Sequence, residues 1–149
     1  MHLVLENIKS VLNKEELTVA DRLEKVCQLL QDSNSHYDWV GFYFADPDKR
    51  ELHLGPFVGE PTNHLVIPFG KGICGQVAEN NESFVVPDVE VQDNYIACSI
   101  DVRSEIVVPL FVEGKNVGQI DIDSHTPNAF SEDDERLLEK VNIEVAKIL

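Results

Sequence analysis

The feature that most constrains the fold of this chain is a strict alternation of apolar and acidic residues near its C-terminal end. In "GQIDIDS", Ile120 and Ile122 alternate with Asp121 and Asp123, so a period of two places the isoleucines on one strand face and the carboxylates on the other. Aspartate is disfavoured in strands, and like charges two residues apart repel. The acidic face is therefore either solvated or holds a cation, which could be an ammonium group or a metal ion.

A second alternating segment, "DWVGFYF", predicts another strand. Its valine and phenylalanines share one face, which is apolar enough to belong to a core, while Trp39, Gly41 and Tyr43 share the other face. The glycine leaves a gap between two large aromatic side chains, which suits a small ligand with a cation or a polarised methyl group. Packing of the same aromatics beneath helices explains the pattern equally well at this point.

The order of the remaining segments predicts an α+β fold. Short strands are indicated by "ELHLGPFVG", "HLVIPF", "SFVVPDV" and "EIVVPLFV". A helix with an apolar stripe precedes the strands within residues 17–34, with Thr18 and Asp21 resembling a capping box, and a helix capped by Ser131 follows them. An antiparallel sheet flanked by N- and C-terminal helices fits this order. We expect a single domain over residues 1–149.

Composition limits the classes of function. Of the 149 residues, 43% are hydrophobic, which is enough for a packed core in one domain. The formal net charge of -15 repels phosphate backbones and anionic lipid, so neither nucleic acid nor a membrane surface is an expected partner. No apolar run approaches the roughly 20 residues of a membrane span. The start "MHLVLENIKS" lacks the features of a signal peptide, so a cytoplasmic location is expected.

The chain has three cysteines, Cys27, Cys74 and Cys98. An odd number in a chain with a sufficient core argues against a disulfide framework. The 46 and 23 residues that separate them do not resemble paired zinc ligands, so no metal and no cofactor is expected. Cys27 lies on the apolar stripe of the first predicted helix, which favours a small buried side chain without chemistry.

The stretch "GKGICG" matches the pattern of a dinucleotide-binding turn, but its context does not. That turn must open a helix of ten or more residues within a βαβ unit, whereas here the helix ends near Asn80 and a strand follows from Phe84. No phosphate-binding lysine motif occurs either. The glycines instead allow a sharp turn into a short helix, with Cys74 near its N-terminus, where the helix dipole favours a thiolate.

Cys98 lies in the long connection "VQDNYIACSIDVRS". Long connections in compact domains are often functional, and a structural cysteine more often lies in a periodic apolar segment. Cys98 is therefore a stronger candidate for chemistry than Cys27.

Taken together, these segments resemble the free methionine-(R)-sulfoxide reductases, a branch of the GAF-domain family. The matching motifs are "DWVGFYF", "LGPFVGE", "IPFGKGICG", "YIACSIDVRSEIVVPL" and "VGQIDIDS", which follow one another over residues 37–124. The resemblance implies a six-stranded antiparallel sheet in a GAF-like fold. It also implies an enzyme that reduces free methionine sulfoxide with a thioredoxin-like reductant, and a homodimer is expected because such domains often dimerise.

The resemblance assigns a role to each candidate residue. Cys98 is the nucleophile, and Cys74 resolves the sulfenic acid that forms on it as an intramolecular disulfide. Glu105 is the first candidate for proton transfer. The remaining residues of the implied pocket bind the substrate: Trp39, Tyr43, Asp121 and Asp123.

The chain departs from the family pattern at one position. Many relatives carry a third cysteine ten residues before that of "GICG", where this chain has His64. The chain therefore resembles a two-cysteine type, in which Cys74 alone resolves. The alternative is a non-catalytic GAF module that binds a small ligand for signalling, and a third interpretation is a structural dimer with incidental thiols.

Overall fold

The structure of the protein, a computed structural model, describes residues 2–95 and 101–149. The predicted nucleophile Cys98 lies outside the described residues. Within them the helices are α1 (His2–Leu12), α2 (Val19–Ser33), α3 (Gly72–Asn80) and α4 (Glu132–Ala146). The strands are β1 (Trp39–Asp46), β2 (Glu51–Val58), β3 (Val66–Pro68), β4 (Phe84–Val86), β5 (Ser104–Val112) and β6 (Lys115–Ser124).

The six strands form one antiparallel sheet in the order β3-β2-β1-β6-β5-β4. The predicted α+β fold, a six-stranded antiparallel sheet flanked by N- and C-terminal helices, is confirmed. Helix α1 was not predicted. Strands β5 and β6 are joined by a turn of two residues. Glu113 and Gly114 alone make this turn, both with positive φ (51° and 79°), as in the two-residue turns that match strand twist.

The sheet has two differently built faces. The first packs against α1, α2 and α4 and forms the main apolar core, to which Phe42, Ile106, Ile120 and Ile122 contribute fully buried side chains. The second is covered by α3 and by the segments on either side of it, and it forms a smaller cluster that includes Cys74. The alternation in β1 and β6 therefore separates a purely apolar face from one that carries aromatic and acidic groups.

The two long helices begin at side-chain caps. Thr18 accepts a hydrogen bond from the Asp21 backbone N–H at 3.1 Å, which satisfies a free donor of the first turn of α2. At the start of α4, Ser131 and Asp134 bond each other's backbone N–H groups in a complete capping box. These caps fix where both helices begin on the first face of the sheet. Among the described residues, no helix combines the length and apolarity needed to cross a membrane.

Cys27 belongs to the main core, as its position on the helical stripe predicts. Its side chain is fully buried, and Sγ contacts the Pro56 carbonyl oxygen at 3.7 Å. Burial raises the pKa of the Cys27 thiol far above its usual range, and the nearby carboxylate of Glu24 adds to the rise. The thiolate form that reacts with electrophiles is therefore suppressed.

We expect Cys27 to resist alkylation by iodoacetamide in the native protein and to react after denaturation. The measurement is peptide mass spectrometry of protein labelled in buffer and in concentrated denaturant. Rapid labelling of Cys27 in the native protein, at a rate comparable to that of the unfolded chain, would contradict its placement in the core.

Candidate active site

Strand pairing aligns three predicted site residues that are far apart in the sequence. Trp39 on β1 lies opposite Asp123 on β6, and Asp123 lies opposite Glu105 on β5. Because directly opposed residues in an antiparallel sheet have neighbouring side chains on one face, the three form a row across the sheet. All three side chains are buried, with exposed fractions of 6%, 1% and 4%.

The next row places Asp121 opposite both Gly41 on β1 and Val107 on β5. The predicted gap above Gly41 is filled, because a Cβ built there would lie only 2.4 Å from Cη2 of Trp39. The indole thus covers the glycine and also stacks on Phe57, with ring centroids 5.5 Å apart. A glycine is required at position 41 for the tryptophan to lie flat in this way.

Both predicted aromatic residues hold the segment that follows β2. The Trp39 indole N–H donates to the Glu60 carbonyl oxygen at 3.0 Å, and the Tyr43 hydroxyl donates to the His64 carbonyl oxygen at 3.0 Å. Buried aromatics with a polar tip normally find such partners. Of the two explanations open from the sequence, packing therefore describes these side chains in this structure, and a role in ligand binding stays a prediction.

The glycines of "GKGICG" allow backbone conformations and a close backbone approach that other residues would not. Gly70 and Gly72 have φ angles of 85° and 64°, which side chains rarely allow. Gly75 lies so close to the preceding strand that a Cβ would approach the Pro68 carbonyl oxygen to 2.6 Å. This tight turn brings the first turn of α3 down onto the second face of the sheet, and it carries Cys74 there.

Cys74 meets two carboxyl groups from neighbouring strands. Its Sγ lies 3.3 Å from Oδ2 of Asp121 and 3.9 Å from Oε2 of Glu105. Gln119, which the sequence analysis missed, donates from Nε2 to the Cys74 carbonyl oxygen at 3.1 Å and is fully buried. The signal for Gln119 was present, because residues 119, 121 and 123 share one strand face.

The electrostatics of this cluster centre on Asp121, which is entirely buried. Burial raises the pKa of Asp121, and the hydrogen bonds with Glu105 and Cys74 offset only part of the rise. Asp121 therefore keeps a proton at pH values at which an exposed aspartate has lost it.

Two groups of side chains among the described residues could hold a metal ion. Ligand atoms of Cys74, Glu105 and Asp121 lie within 4.8 Å of one another and are buried, and those of Asp46, Glu51 and His53 lie within the same distance at a partly exposed position. The sequence did not indicate the first group, because its members are 31 and 16 residues apart. The expectation that the protein needs no metal stays a prediction.

A small cavity adjoins the cluster. It has a volume of about 10 Å³, and its walls include His64, Ile67, Cys74 and Glu105, so it holds about one water molecule. A larger cavity of about 390 Å³ lies between α1, α2 and α4 on the opposite side of the sheet, where it contacts no cysteine among the described residues. The first cavity is the candidate site because a thiol and a carboxyl group line it, although its volume is smaller.

Comparison with known proteins identifies the family. A sequence profile described as GAF domain matches residues 16–141. Protein YtsP of Bacillus subtilis is 39% identical over 136 residues, which are 91% of this chain and 82% of that protein. Free methionine-R-sulfoxide reductase of Escherichia coli is 36% identical over 127 residues, which are 85% of this chain and 75% of that protein. The chain belongs to the GAF domain family, in the branch of the free methionine-R-sulfoxide reductases.

A solved GAF structure supports the same relationship. Free methionine-R-sulfoxide reductase from Neisseria meningitidis, in complex with its substrate, aligns with a TM-score of 0.91 and 38% identity, covering 97% of this chain and 85% of that chain. The resemblance stated from the sequence motifs is therefore confirmed at the level of family and fold. The roles predicted for individual residues of this GAF domain stay predictions.

The raised pKa of Asp121 predicts a pH-dependent effect of Asp121→Asn on stability. A carboxyl whose pKa is higher in the folded than in the unfolded state stabilises the fold fully at acidic pH and loses that contribution as pH rises through the folded-state value. Asparagine has no such titration. We expect the thermal midpoint of Asp121→Asn, relative to wild type, to increase progressively from acidic to alkaline pH.

The measurement is thermal unfolding by circular dichroism over a pH series. Exposed Asp48 provides the matched control, and Asp48→Asn should show little change in its difference from wild type. A relative midpoint for Asp121→Asn that is constant, or that falls as pH rises, would rule out a protonated Asp121 in the fold.

Proposed function

We propose that this GAF domain reduces free methionine-R-sulfoxide to methionine, with Cys98 as the nucleophile and Cys74 as the resolving thiol. The observation that carries the proposal is the contact between the Cys74 thiol and a buried carboxyl, Asp121, whose pKa is raised. Sulfoxide reduction by thiols needs both a second thiol and a proton donor. Relatives in the same branch, which are free methionine-R-sulfoxide reductases, support the choice of substrate.

The first chemical step moves oxygen between two sulfur atoms. The Cys98 thiolate attacks the sulfoxide sulfur, and the oxygen gains negative charge as its bond to that sulfur weakens, so a nearby acid accelerates the step. In net terms, one S–O bond breaks in the substrate and one forms on Cys98. The substrate sulfur gains two electrons and the Cys98 sulfur loses them, which yields methionine and a sulfenic acid.

Asp121 is the proton donor in this account. We assign it this role because burial raises the pKa of Asp121, and Glu105, the first candidate for proton transfer from the sequence, is its hydrogen-bond partner. Oδ2 of Asp121 already accepts from the Cys74 thiol, so we expect Oδ1 to face the sulfoxide oxygen. The proton released when the Cys98 thiol ionises restores the acid, and Glu105 relays it.

The second step closes a disulfide between Cys74 and Cys98. The Cys74 sulfur displaces hydroxide from the sulfenic sulfur, and a proton from the thiol completes the water molecule that leaves. An external dithiol of the thioredoxin type then reduces the disulfide by two thiol–disulfide exchanges and is itself oxidised. We expect this cycle to run in the cytoplasm, where such dithiols are kept reduced.

Substrate recognition falls to the row of Trp39, Asp123 and Glu105. If Asp121 keeps its proton, the ammonium group of a free amino acid is best neutralised by Asp123, which lies two residues further along the same strand face. A peptide-bound methionine sulfoxide has no free amine and gains nothing from this contact. We expect the adjacent aromatics, Trp39 and Tyr43, to contact the polarised S-methyl group once the covering segment has moved.

The cavity of about 10 Å³ is too small for an amino acid, so binding must displace part of its wall. The segment of residues 60–64 is held to the sheet by two hydrogen bonds, from Trp39 to the Glu60 carbonyl and from Tyr43 to the His64 carbonyl. These contacts are replaced easily, because a single hydrogen bond contributes only about 1 kcal/mol net. We propose that this segment opens to admit the substrate.

Three cysteine variants test the roles of the thiols. In single turnover with free methionine-R-sulfoxide, we expect Cys98→Ser to release no methionine and Cys74→Ser to release about one per chain, because attack does not need the resolving thiol. Cys27→Ser, the control for a buried thiol, should behave like wild type. Methionine is quantified by chromatography, and circular dichroism confirms folding.

The outcomes separate an enzyme from a ligand-binding module. A wild-type protein that binds methionine sulfoxide but releases no methionine with any thiol reductant would favour the signalling module. If Cys98→Ser still releases methionine and Cys74→Ser releases none, Cys74 is the nucleophile and Cys98 the resolving thiol.

The single tryptophan of the chain reports on binding. In the Cys98→Ser background, free methionine-R-sulfoxide should change Trp39 fluorescence saturably, because the indole loses its bond to Glu60. Adding Asp123→Asn removes a charge-assisted contact, which is worth about 1.5–3 kcal/mol, so the dissociation constant should rise roughly 10- to 150-fold. Titration with the N-acetylated sulfoxide is the control, and it should be insensitive to Asp123→Asn. Equal weakening of both ligands would refute the ammonium contact.

A further inference from the structure

Both polar atoms of the Asn94 side chain bond to the glycine turn that precedes Cys74. The Asn94 Nδ2 donates to the Gly70 carbonyl oxygen at 2.7 Å, and Oδ1 accepts from the Gly72 backbone N–H at 2.9 Å. A planar amide that uses its donor and its acceptor on one turn fixes orientation as well as distance. Asn94 is 22 residues from Gly72 in the chain, so these bonds join two separate segments.

The first turn of α3 depends on this contact from outside. Lys71 occupies the N-cap position but makes no side-chain cap bond, which leaves early N–H groups of the helix in need of acceptors. Asn94 supplies one of them, so it acts as the cap that the helix's own sequence lacks. The orientation of the turn that carries Cys74 is therefore coupled to the chain at Asn94.

Gln76 reinforces the connection with two further hydrogen bonds. Gln76 donates from Nε2 to the Gly72 carbonyl oxygen at 2.9 Å and to the Asn94 carbonyl oxygen at 3.1 Å. Three of these hydrogen bonds involve Asn94: the two made by its side chain and the one that Gln76 donates to its carbonyl oxygen. We call these three bonds the Asn94 clamp. The clamp fixes both the side chain and the main chain of residue 94 against α3.

The clamp lies close in sequence to both thiols. Gly72 precedes Cys74 by two residues, and Asn94 precedes Cys98 by four. Four residues of extended chain span at most roughly 14 Å, so an anchor at Asn94 limits how far the chain can carry Cys98 from the Cys74 turn. On the other side, Val102 is buried and the Arg103 N–H donates to the Ser124 carbonyl oxygen at 2.8 Å.

We propose that Asn94 is a positioning residue for disulfide closure. This inference rests on the proposed function, in which a sulfenic acid on Cys98 reacts with the Cys74 thiol. In that step an S–S bond forms, the S–O bond of the sulfenic acid breaks, and the hydroxyl leaves as water with the thiol proton. The clamp raises the effective concentration of one sulfur at the other, because it shortens the free chain between them.

We expect the attack on the substrate to depend little on the clamp. Asn94 has no polar contact with the carboxyl cluster among the described residues, and its bonds end on the backbone of the turn and on Gln76. Its loss should therefore slow the second step and leave the first nearly unchanged. That split between two steps distinguishes a positioning role from a general loss of stability.

The test measures both steps in the full-length chain. Protein is mixed with one equivalent of free methionine-R-sulfoxide and quenched over time, methionine release reports the attack, and non-reducing peptide mapping reports the Cys74–Cys98 disulfide. In Asn94→Ala we expect methionine release within about twofold of wild type and disulfide closure slowed about tenfold, the effect of losing two hydrogen bonds. Dimedone should trap correspondingly more sulfenic acid.

Two further variants make the result specific. Asn94→Asp keeps the acceptor for the Gly72 N–H and should recover part of the closure rate. Asn80→Ala removes a side-chain bond to the Glu82 N–H at the other end of α3, and it should close at the wild-type rate. Wild-type closure in Asn94→Ala, equal slowing in Asn80→Ala, or equal loss of both steps in Asn94→Ala would overturn the proposal.

Closure is also measured after oxidation by hydrogen peroxide, which needs no substrate site. If wild type releases no methionine yet closes the disulfide with peroxide, the proposed function fails, while the effect of Asn94 on closure is still decided by the peroxide series. If wild type releases methionine and all variants close alike with both oxidants, only the positioning role fails.

Discussion

The pairing of β6 with β1 on one side and β5 on the other is the constraint on which the rest of the structure depends. Its register places Ile120 and Ile122 toward three helices and Asp121 and Asp123 toward α3. Because side chains alternate along a strand, a slip of one residue would turn both carboxylates into the main apolar core and move the isoleucines to the face covered by α3. The apolar core therefore fixes the position of every acidic group in the candidate site.

Burying the carboxyl groups is costly, and this cost defines the chemistry of the site. Asp121 and Glu105 lie beside each other and are both buried, and burial raises the pKa of Asp121, which favours its protonated form. In the proposed function, this protonated form makes Asp121 an acid next to a thiol. The raised pKa of Asp121, which lowers stability at alkaline pH, is thus the property that a sulfoxide reductase needs.

The sequence contained the features that depend on local periodicity. Strand alternation, the Thr18 and Ser131 caps and the core position of Cys27 follow from spacings of two to four residues, and the structure has all of them. Distances such as that between Cys74 and Asp121 do not, because they depend on how a glycine turn docks α3 across 47 residues of chain. The filled gap above Gly41 could not be foreseen either, since it depends on the rotamer of Trp39.

The proposed function requires that Cys98 and Cys74 form one redox pair driven by free methionine-R-sulfoxide. The most direct measurement is peptide mapping of the reduced protein after one equivalent of this sulfoxide and no other oxidant. We expect a Cys74–Cys98 linked peptide in amounts that match the methionine released, with Cys27 still a free thiol. Release of methionine without that linked peptide, or a disulfide that includes Cys27, would contradict it.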